Sequence, residues 1–251
     1  MAQEYIITRL IAELKNDTVM KKLAAHIVTG YDDDLNEIST TLSHMGGLAE
    51  SMTADSVEAI RKRNSDLANS VISRDVQVNA MQEKIDEDAM KILALRHPMA
   101  TDLRRTISAI RSASDLERVG DLAEGIAKRA LSINDEERIA LAKGVGRIGK
   151  LVKQQLSGAL DALLREDADK ALQVWLSDED VDEMYNAIFR ELLTYMMEDP
   201  RTISACTSFL FVSKNLERIG DHATNICESV YFTVHGKPLI NDPAIIAARA
   251  Q

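Results

Sequence analysis

One short stretch of this chain occurs twice, one hundred residues apart. Residues 115–126 read Asp-Leu-Glu-Arg-Val-Gly-Asp-Leu-Ala-Glu-Gly-Ile, residues 215–226 read Asn-Leu-Glu-Arg-Ile-Gly-Asp-His-Ala-Thr-Asn-Ile, and seven of the twelve positions are identical. Self-similarity at a long period indicates an internal duplication, in which each copy forms a unit of the same structure. The 251-residue chain is therefore expected to fold as two similar domains, 1–134 and 135–251.

The composition favours a helical protein. Only 4 Pro, 11 Gly and 4% aromatic residues accompany 45% hydrophobic residues, and signals for strands are nearly absent. Pro98 and Pro200 each follow a helix-like stretch, so each is expected to end one helix and open the next. The pattern predicts helices over 31–63, 74–97, 99–131, 136–166, 179–198 and 200–234, short segments at 65–72 and 168–176, an unpaired helix within 1–28 and a tail from Pro238. The expected fold is all-α, with two tandem three-helix bundles.

Each copy of the repeated stretch carries two carboxylates one helical turn apart. Glu117 with Asp121, and Glu217 with Asp221, lie about 40° apart around their helices. In both repeats these acids continue an apolar stripe along the third helix. Because the arrangement occurs twice, we expect the acids to face the interior of each bundle.

A second stripe competes for the buried face of the same helix. The first stripe passes through Leu103 and Ile107 and leads to the acids, whereas the second passes through Leu116, Val119 and Ala123. If the second stripe is the buried one, the acids are solvated, as charged helix positions usually are.

A glycine stands inside the helix beside each pair of acids, at Gly120 and Gly220. Glycine at such a position costs about 1 kcal/mol relative to alanine. We therefore expect another segment of the chain, or a ligand, to approach the helix backbone closely at these two points.

The paired acids predict a bound cation in each repeat. Carboxylates one turn apart repel, and moving them toward a bundle interior adds a desolvation cost that a cation offsets. The starts of the second helices offer further oxygen ligands at the same spacing. These are Asp75 and Asn79 in the first repeat, and Asp178 and Asp182 in the second. Oxygen ligands favour magnesium, manganese or iron over a thiolate zinc site. Capping of a helix N-terminus is the alternative role for Asp75 and Asp178.

Residues 144–150, Gly-Val-Gly-Arg-Ile-Gly-Lys, match the G-x-G-x-x-G pattern and the first seven positions of the P-loop pattern, both typical of nucleotide-binding sites. Both patterns require a buried strand before the glycines, whereas residues 135–143 are charged and helical in pattern. Leu151 also stands where a P-loop needs Ser or Thr. We interpret this segment as the start of a helix.

Charge and hydropathy restrict the partners and the location. A net charge of −10 argues against a nucleic-acid partner. No apolar run approaches the roughly 20 residues that cross a bilayer, and the first residues lack the order of a signal peptide. The chain is therefore predicted to be cytoplasmic and to meet membranes only through its partners. Cys206 and Cys227 lie about 30 Å apart on one predicted helix, so they are expected to be reduced.

The doubled Leu-Glu-Arg-[Val/Ile]-Gly-Asp motif, with the segments 102–104 and 195–200, resembles the PhoU family of phosphate-signalling proteins over about residues 30–236. The resemblance implies two similar three-helix bundles that bind iron or zinc clusters, or single magnesium or manganese ions, through paired E/D-x-x-x-D motifs. The matching positions are Glu117, Asp121 and Asp75 in the first repeat, then Glu217, Asp221, Asp178 and Asp182 in the second. Asn79 stands where an acid completes the first set, so fewer or weaker metals are expected there.

The resemblance also implies a regulatory role without catalysis. Family members connect the ATPase subunit of a phosphate ABC transporter to a membrane sensor histidine kinase. They suppress the phosphate-starvation response when phosphate is plentiful. A homodimer is expected as well.

Two other classes of function compete with this one. A carboxylate-bridged di-metal enzyme built on a helical bundle needs a Glu-x-x-His motif, and none of the five histidines follows a Glu by three residues. A purely structural scaffold, in which every acid is an ordinary surface charge, is the other alternative. In our interpretation Arg118 and Arg218 are ion-pair partners or surface residues, and His222 flanks the second site.

Overall fold

The computed structural model describes residues 33–134 and 142–239, and these residues form helices joined by short turns. The first helix, α1, is described over 33–62. The others are α2 (Ser65–Arg96), α3 (Ala100–Asn134), α4 (Ala142–Arg165), α5 (Ala168–Leu176), α6 (Asp178–Glu198) and α7 (Ile203–His235), with a 3₁₀ turn at Pro200–Thr202. Within these two ranges there is no strand, and the predicted all-α fold of two three-helix units is confirmed. The helix predicted within 1–28, the helix start at 136 and most of the predicted tail lie outside the described residues.

The turns after the first helices show the duplication in detail. Asn64 caps α2 by accepting a hydrogen bond from the Leu67 amide, and Asp167, 103 positions later, caps α5 by accepting one from the Lys170 amide. The residue before each cap has a left-handed backbone, with φ of 54° at Arg63 and 51° at Glu166. The same turn is therefore built twice, although the left-handed residue and the capping residue differ between the two copies.

The two repeats differ where the second helix begins. The first repeat has one continuous helix, α2, so the separate segment predicted at 65–72 is wrong. The second repeat breaks at Ser177, between α5 and α6. Arg74 occupies the equivalent place in α2, and its guanidinium bonds the Asp55 carboxylate on α1 at 2.6 Å. Arginine is a good helix former, whereas the Asp-Glu-Asp run after Ser177 favours a new helix start.

The third helices of the two repeats pack antiparallel at the centre of the molecule. The Asn215 amide nitrogen donates to the Leu122 carbonyl at 3.4 Å, and the Thr233 hydroxyl donates to the Ser108 hydroxyl at 2.7 Å. The Arg104 guanidinium reaches the Thr233 carbonyl at 3.0 Å. Each third helix therefore packs both on the second helix of its own repeat and on the other repeat.

The buried face of α3 differs from the expected one. Leu116, Val119 and Ala123 are 0% exposed, whereas Leu103 is 36% exposed. The expectation that the acids face the interior of the bundle was therefore wrong. The second stripe, through Leu116, Val119 and Ala123, forms the core. A helix with neighbours on two sides buries a broad face, and the acid stripe lies at the edge of that face. The Glu117 side chain is accordingly 22% exposed.

The glycines of residues 144–149 lie inside α4 and make close helix contacts. A β-carbon at Gly149 would lie 2.9 Å from both γ-carbons of Val57 on α1, and one at Gly144 would lie 3.4 Å from Ile188 on α6. Because the segment is helical and no strand precedes it in the described part of the chain, the interpretation as a helix start is confirmed.

We expect Gly149→Ala to destabilise the protein by about 1–3 kcal/mol, because the added methyl overpacks against a stiff β-branched side chain. Gly47→Ala is the matched control, since a β-carbon there meets nothing within 4 Å. That control should gain about 0.5–1 kcal/mol through helix propensity. Urea denaturation followed by circular dichroism measures both, and equal effects would show that α1 and α4 do not meet at Gly149.

Cys206 and Cys227 are buried and unpaired on α7, as predicted. Burial raises the pKa of the Cys227 thiol to about 12, which keeps it protonated at neutral pH. No helix among the described residues is long and apolar enough to cross a membrane.

Candidate metal centres

The mid-helix glycines bring the second helix of each repeat against the third. A β-carbon at Gly120 would lie 3.3 Å from Asp75 Oδ1, and one at Gly220 would lie 3.7 Å from Asp178 Oδ1. The close approach predicted from the two glycines is therefore confirmed. It places a carboxylate of α2 beside the acids of α3, and a carboxylate of α6 beside those of α7.

The first cluster contains Asp75, Asn79, Glu117 and Asp121. The Asn79 amide donates to Asp75 Oδ2 at 3.1 Å, and Asp75 Oδ1 is buried without a hydrogen-bond partner. The Arg118 guanidinium lies 3.0 Å from Asp121 Oδ2 and 3.4 Å from Glu117 Oε2. A cation of the protein itself thus neutralises part of this cluster, as the sequence interpretation of Arg118 suggested.

Burial and mutual repulsion raise the pKa of two acids in the first cluster. Burial raises the pKa of Asp75 above 3.8, and the Asp121 and Glu124 carboxylates add to the effect. Burial also raises the pKa of Glu117 above 4.5, and the charge of Asp121 is the next cause. Both side chains lie in a place where added positive charge stabilises the ionised form.

The second cluster contains Asp178, Asp182, Glu217 and Asp221. The Lys214 ammonium bonds Glu217 Oε1 at 2.5 Å, and Glu217 Oε2 is buried without a partner. Asp182 is exposed. Asp221 is exposed as well. Partial desolvation of its carboxyl group nevertheless raises its pKa, and the charges of Glu217 and Asp178 raise it further.

The capping alternative for the second-helix acids fits Asp75 poorly. The N-cap of α2 is Asn64, and Asp75 lies well inside the helix. Asp178 is the first residue of α6 and follows the N-cap Ser177. Its Oδ1 accepts a hydrogen bond of 2.8 Å from the Gln155 amide on α4. The sequence analysis did not identify Gln155 as part of this cluster. A signal was present: with the repeats aligned at an offset of 103, the polar Gln155 stands where the first repeat has the apolar Met52.

The described residues contain no group of three or more His, Cys, Asp or Glu side chains arranged to hold a metal ion together. Each cluster nevertheless has one buried carboxylate oxygen without a donor, Asp75 Oδ1 in the first and Glu217 Oε2 in the second. Such oxygens fit an oxygen-ligated cation, since an unpaired buried acceptor otherwise costs about 1–3 kcal/mol. The eight ligand positions named from the sequence stay predictions.

A polar contact links the two repeats between the clusters. His222 Nδ1 lies 2.9 Å from Asp115 Oδ1, and the Asn225 amide donates to the same oxygen at 3.1 Å. His222 thus flanks the second cluster and bonds the helix of the first. The pseudo-equivalent contact, Asn215 to the Leu122 carbonyl, has no charged group.

Comparison with known proteins agrees with this duplicated architecture. The PhoU domain model matches residues 42–130 and again residues 145–230. The chain is 48% identical over 218 residues to the phosphate-specific transport system accessory protein PhoU homolog of Caulobacter vibrioides, which covers 86% of this chain and 95% of that protein. The homolog from Rhizobium meliloti is 45% identical over 213 residues, 84% of this chain and 90% of the relative.

The chain belongs to the PhoU family. Solved structures agree: PhoU from Pseudomonas aeruginosa has a TM-score of 0.80 and 43% identity, covering 82% of this chain and all (100%) of that one. The phosphate transport system regulatory protein PhoU from Streptococcus pneumoniae has a TM-score of 0.77 and 30% identity, and the match covers 83% of this chain and 99% of that one. PhoU proteins are regulatory accessory proteins and not enzymes, so the prediction of no enzymatic activity is confirmed and the di-metal enzyme alternative is wrong.

The raised pKa values predict how this PhoU protein responds to pH without metal. A carboxyl group whose pKa is higher in the folded than in the unfolded state stabilises the fold below its ordinary pKa, and this contribution is lost as pH rises through the folded pKa. Asp75 and Glu117 have ordinary values of 3.8 and 4.5. The Asp75→Asn and Glu117→Gln variants should therefore have nearly the melting temperature of wild type near pH 4. As the pH rises toward 7, their melting temperatures should exceed that of wild type by a growing margin.

The measurement is a series of thermal melts in chelator between pH 4 and pH 7. Glu83→Gln, at an exposed carboxylate in the interior of α2, is the control. A difference from wild type that stays constant, or that shrinks toward pH 7, would contradict the electrostatic description of the first cluster.

Proposed function

We propose that this protein is a negative regulator of phosphate uptake and phosphate-starvation signalling. It acts as a metal-binding adaptor between the ATPase subunit of a phosphate ABC transporter and a membrane sensor histidine kinase. The observation that carries the proposal is family membership across both repeats, with relatives named as accessory proteins of phosphate-specific transport. The match spans 95% of the Caulobacter relative, so the proposal draws on nearly the whole length of that protein.

The metal part of the proposal rests on the two acid clusters. In each repeat, one acid from the second helix faces a pair on the third helix, and one buried carboxylate oxygen lacks a donor. Bound iron, manganese, magnesium or zinc would supply positive charge between these helices. Asp75, Glu117 and Asp121 would hold it in the first repeat, and Asp178, Glu217 and Asp221 in the second, with Asn79 and Asp182 at the edges.

The adaptor part concerns where the protein works and what it meets. We propose a cytoplasmic homodimer that meets the membrane only through its transporter and kinase partners. The net charge of −10 suits protein partners with basic surfaces and not nucleic acid. Co-purification with the transporter's ATPase subunit and with the cytoplasmic part of the kinase tests the two contacts separately. Light scattering of the purified protein measures its oligomeric state.

Deletion of the gene tests the regulatory role. We expect phosphate-starvation genes to be expressed in phosphate-rich medium in the deletion strain, because the repressing adaptor is missing, and to be repressed again when the gene is restored. A reporter fused to a starvation-induced promoter measures both states. Normal repression in a deletion strain that carries no second copy would overturn the proposal.

A further inference from the structure

A buried glutamine on α4 reaches the second acid cluster from outside the two helices that carry the acids. Gln155 is 4% exposed. Its amide nitrogen donates to Asp178 Oδ1 at 2.8 Å, whereas its carbonyl oxygen, Oε1, is buried and has no hydrogen-bond partner. The position of a β-carbon on Gly220 lies 2.8 Å from that oxygen, so Oε1 faces α7 at Gly220.

Among the described residues of the first repeat, no side-chain amide stands at the equivalent position. The caps at Asn64 and Asp167 set the offset between the repeats at 103 in this region, and Met52 is therefore the equivalent of Gln155. Met52 is 0% exposed and carries no oxygen. Asp75 instead receives its hydrogen bond from Asn79 on the same helix. The two clusters thus differ in a residue on the first helix of each repeat, far from the repeated motif.

We propose that Gln155 is a positioning residue of the second metal site and supplies it with a neutral oxygen from a third helix. This inference rests on the proposed metal binding. The bond from its nitrogen to Asp178 fixes the amide, so that Oε1 is held toward α7, where Glu217 Oε2 also lacks a donor. Amide carbonyls are ordinary ligands of hard divalent cations. A buried amide oxygen left without a partner is costly, and a cation or a water bound to it removes that cost.

The asymmetry makes the second repeat the tighter site. In the second repeat the amide of Gln155 joins the acids, and the Lys214 ammonium bonds only one of them, Glu217. In the first repeat Asn79 stands in place of one acid, and the Arg118 guanidinium contacts two of the remaining three. A further acceptor that is already oriented by its neighbour loses little freedom when a cation binds.

The chain contains a natural probe for this site. Trp175 is its one tryptophan, and it lies in α5, three residues before Asp178. Its indole nitrogen donates to Glu228 on α7 at 3.1 Å. Tryptophan fluorescence therefore reports the second repeat, whereas melting temperature and metal content report both.

The test is a titration of chelator-stripped protein with Mn²⁺, followed by Trp175 fluorescence and by melting temperature. Gln155→Met installs the residue of the first repeat, and Gln154→Met, at the exposed neighbouring position, is the matched control. Loss of a residue that orients a metal ligand typically weakens metal affinity by about 10- to 100-fold. We expect that loss for Gln155→Met and none for Gln154→Met.

A second variant keeps the test decisive if Gln155→Met folds poorly. Gln155→Glu retains the size of the side chain and places a second carboxylate beside Asp178. It should melt below wild type in chelator and gain more melting temperature than wild type from Mn²⁺. A purely structural glutamine predicts lower stability with no change in the response to Mn²⁺.

The outcomes separate the two proposals. If Asp178→Ala with Asp221→Ala abolishes the response to Mn²⁺ while Gln155→Met and Gln155→Glu respond as wild type does, the role of Gln155 is refuted and the metal site stands. If the wild-type protein responds to none of Mn²⁺, Mg²⁺, Zn²⁺ and Fe²⁺, both proposals are overturned.

Discussion

Replacing Leu216 with alanine is expected to lower the free energy of unfolding by about 2–5 kcal/mol, the usual cost of a large cavity in a core. Leu216 is 0% exposed on α7, in the position equivalent to Leu116 on α3. Both leucines belong to the stripe that forms the buried face of the third helices. Leu116→Ala should therefore show a loss of the same size.

Urea denaturation measures these losses, with Leu95→Ala as the matched control. Leu95 is 74% exposed near the end of α2, and its truncation should change stability by no more than about 0.5 kcal/mol. If Leu216→Ala proves as mild as Leu95→Ala, the third helices are rotated, and the acid stripe faces the core after all.

The second large effect concerns the metal. Replacing Asp178 and Asp221 together with alanine should remove most of the stabilisation that added manganese or iron gives to the second repeat. A cation at 100 times its dissociation constant stabilises a folded protein by about 2.7 kcal/mol. Without metal, the double variant should keep its helices. Its loss of the acceptor for the buried Gln155 amide is partly offset by relief of the repulsion that raises the pKa of Asp221.

The equivalent pair, Asp75→Ala with Asp121→Ala, should lose less metal-dependent stabilisation. The first cluster has one negative charge fewer, because Asn79 stands where the second has an acid. In addition, Arg118 forms ion pairs with both Glu117 and Asp121. Thermal melts with and without metal compare the three proteins. Equal metal-dependent shifts in all of them would identify the acids as ordinary surface charges and support the structural-scaffold alternative.

The fold was predictable from the sequence where the signal was local. The repeated motif, the prolines between the helices and the capping residues each depend on a few neighbouring positions. Those signals placed Glu117 and Glu217 at equivalent points of two three-helix units, and the glycines beside them correctly indicated a close approach by another helix.

The buried face of the third helix was not predictable in the same way. Glu117 and Leu116 are one residue, about 100°, apart on the helix. Which of them is buried depends on how α3 packs against α7, a helix from the other repeat. The helical periodicity of one segment contains no information about that second neighbour.

Long-range contacts also decide the two details that the sequence analysis missed. Whether α2 continues through Arg74 depends in part on Asp55, a carboxylate on α1 that the arginine bonds. The role of Gln155 depends on Asp178, which is 23 residues further along the chain and on another helix. Each contact joins residues whose proximity only the folded bundle creates.

The metal content of the purified protein shows whether the two acid clusters bind cations. Wild-type protein, the variant with Asp178→Ala and Asp221→Ala, and the variant with Asp75→Ala and Asp121→Ala are purified without chelator and analysed by mass spectrometry of the elements. We expect wild-type protein to carry a transition metal or magnesium, the second-repeat variant to lose most of it, and the first-repeat variant to lose less. Metal-free wild-type protein, or the same metal content in all three proteins, would contradict this expectation.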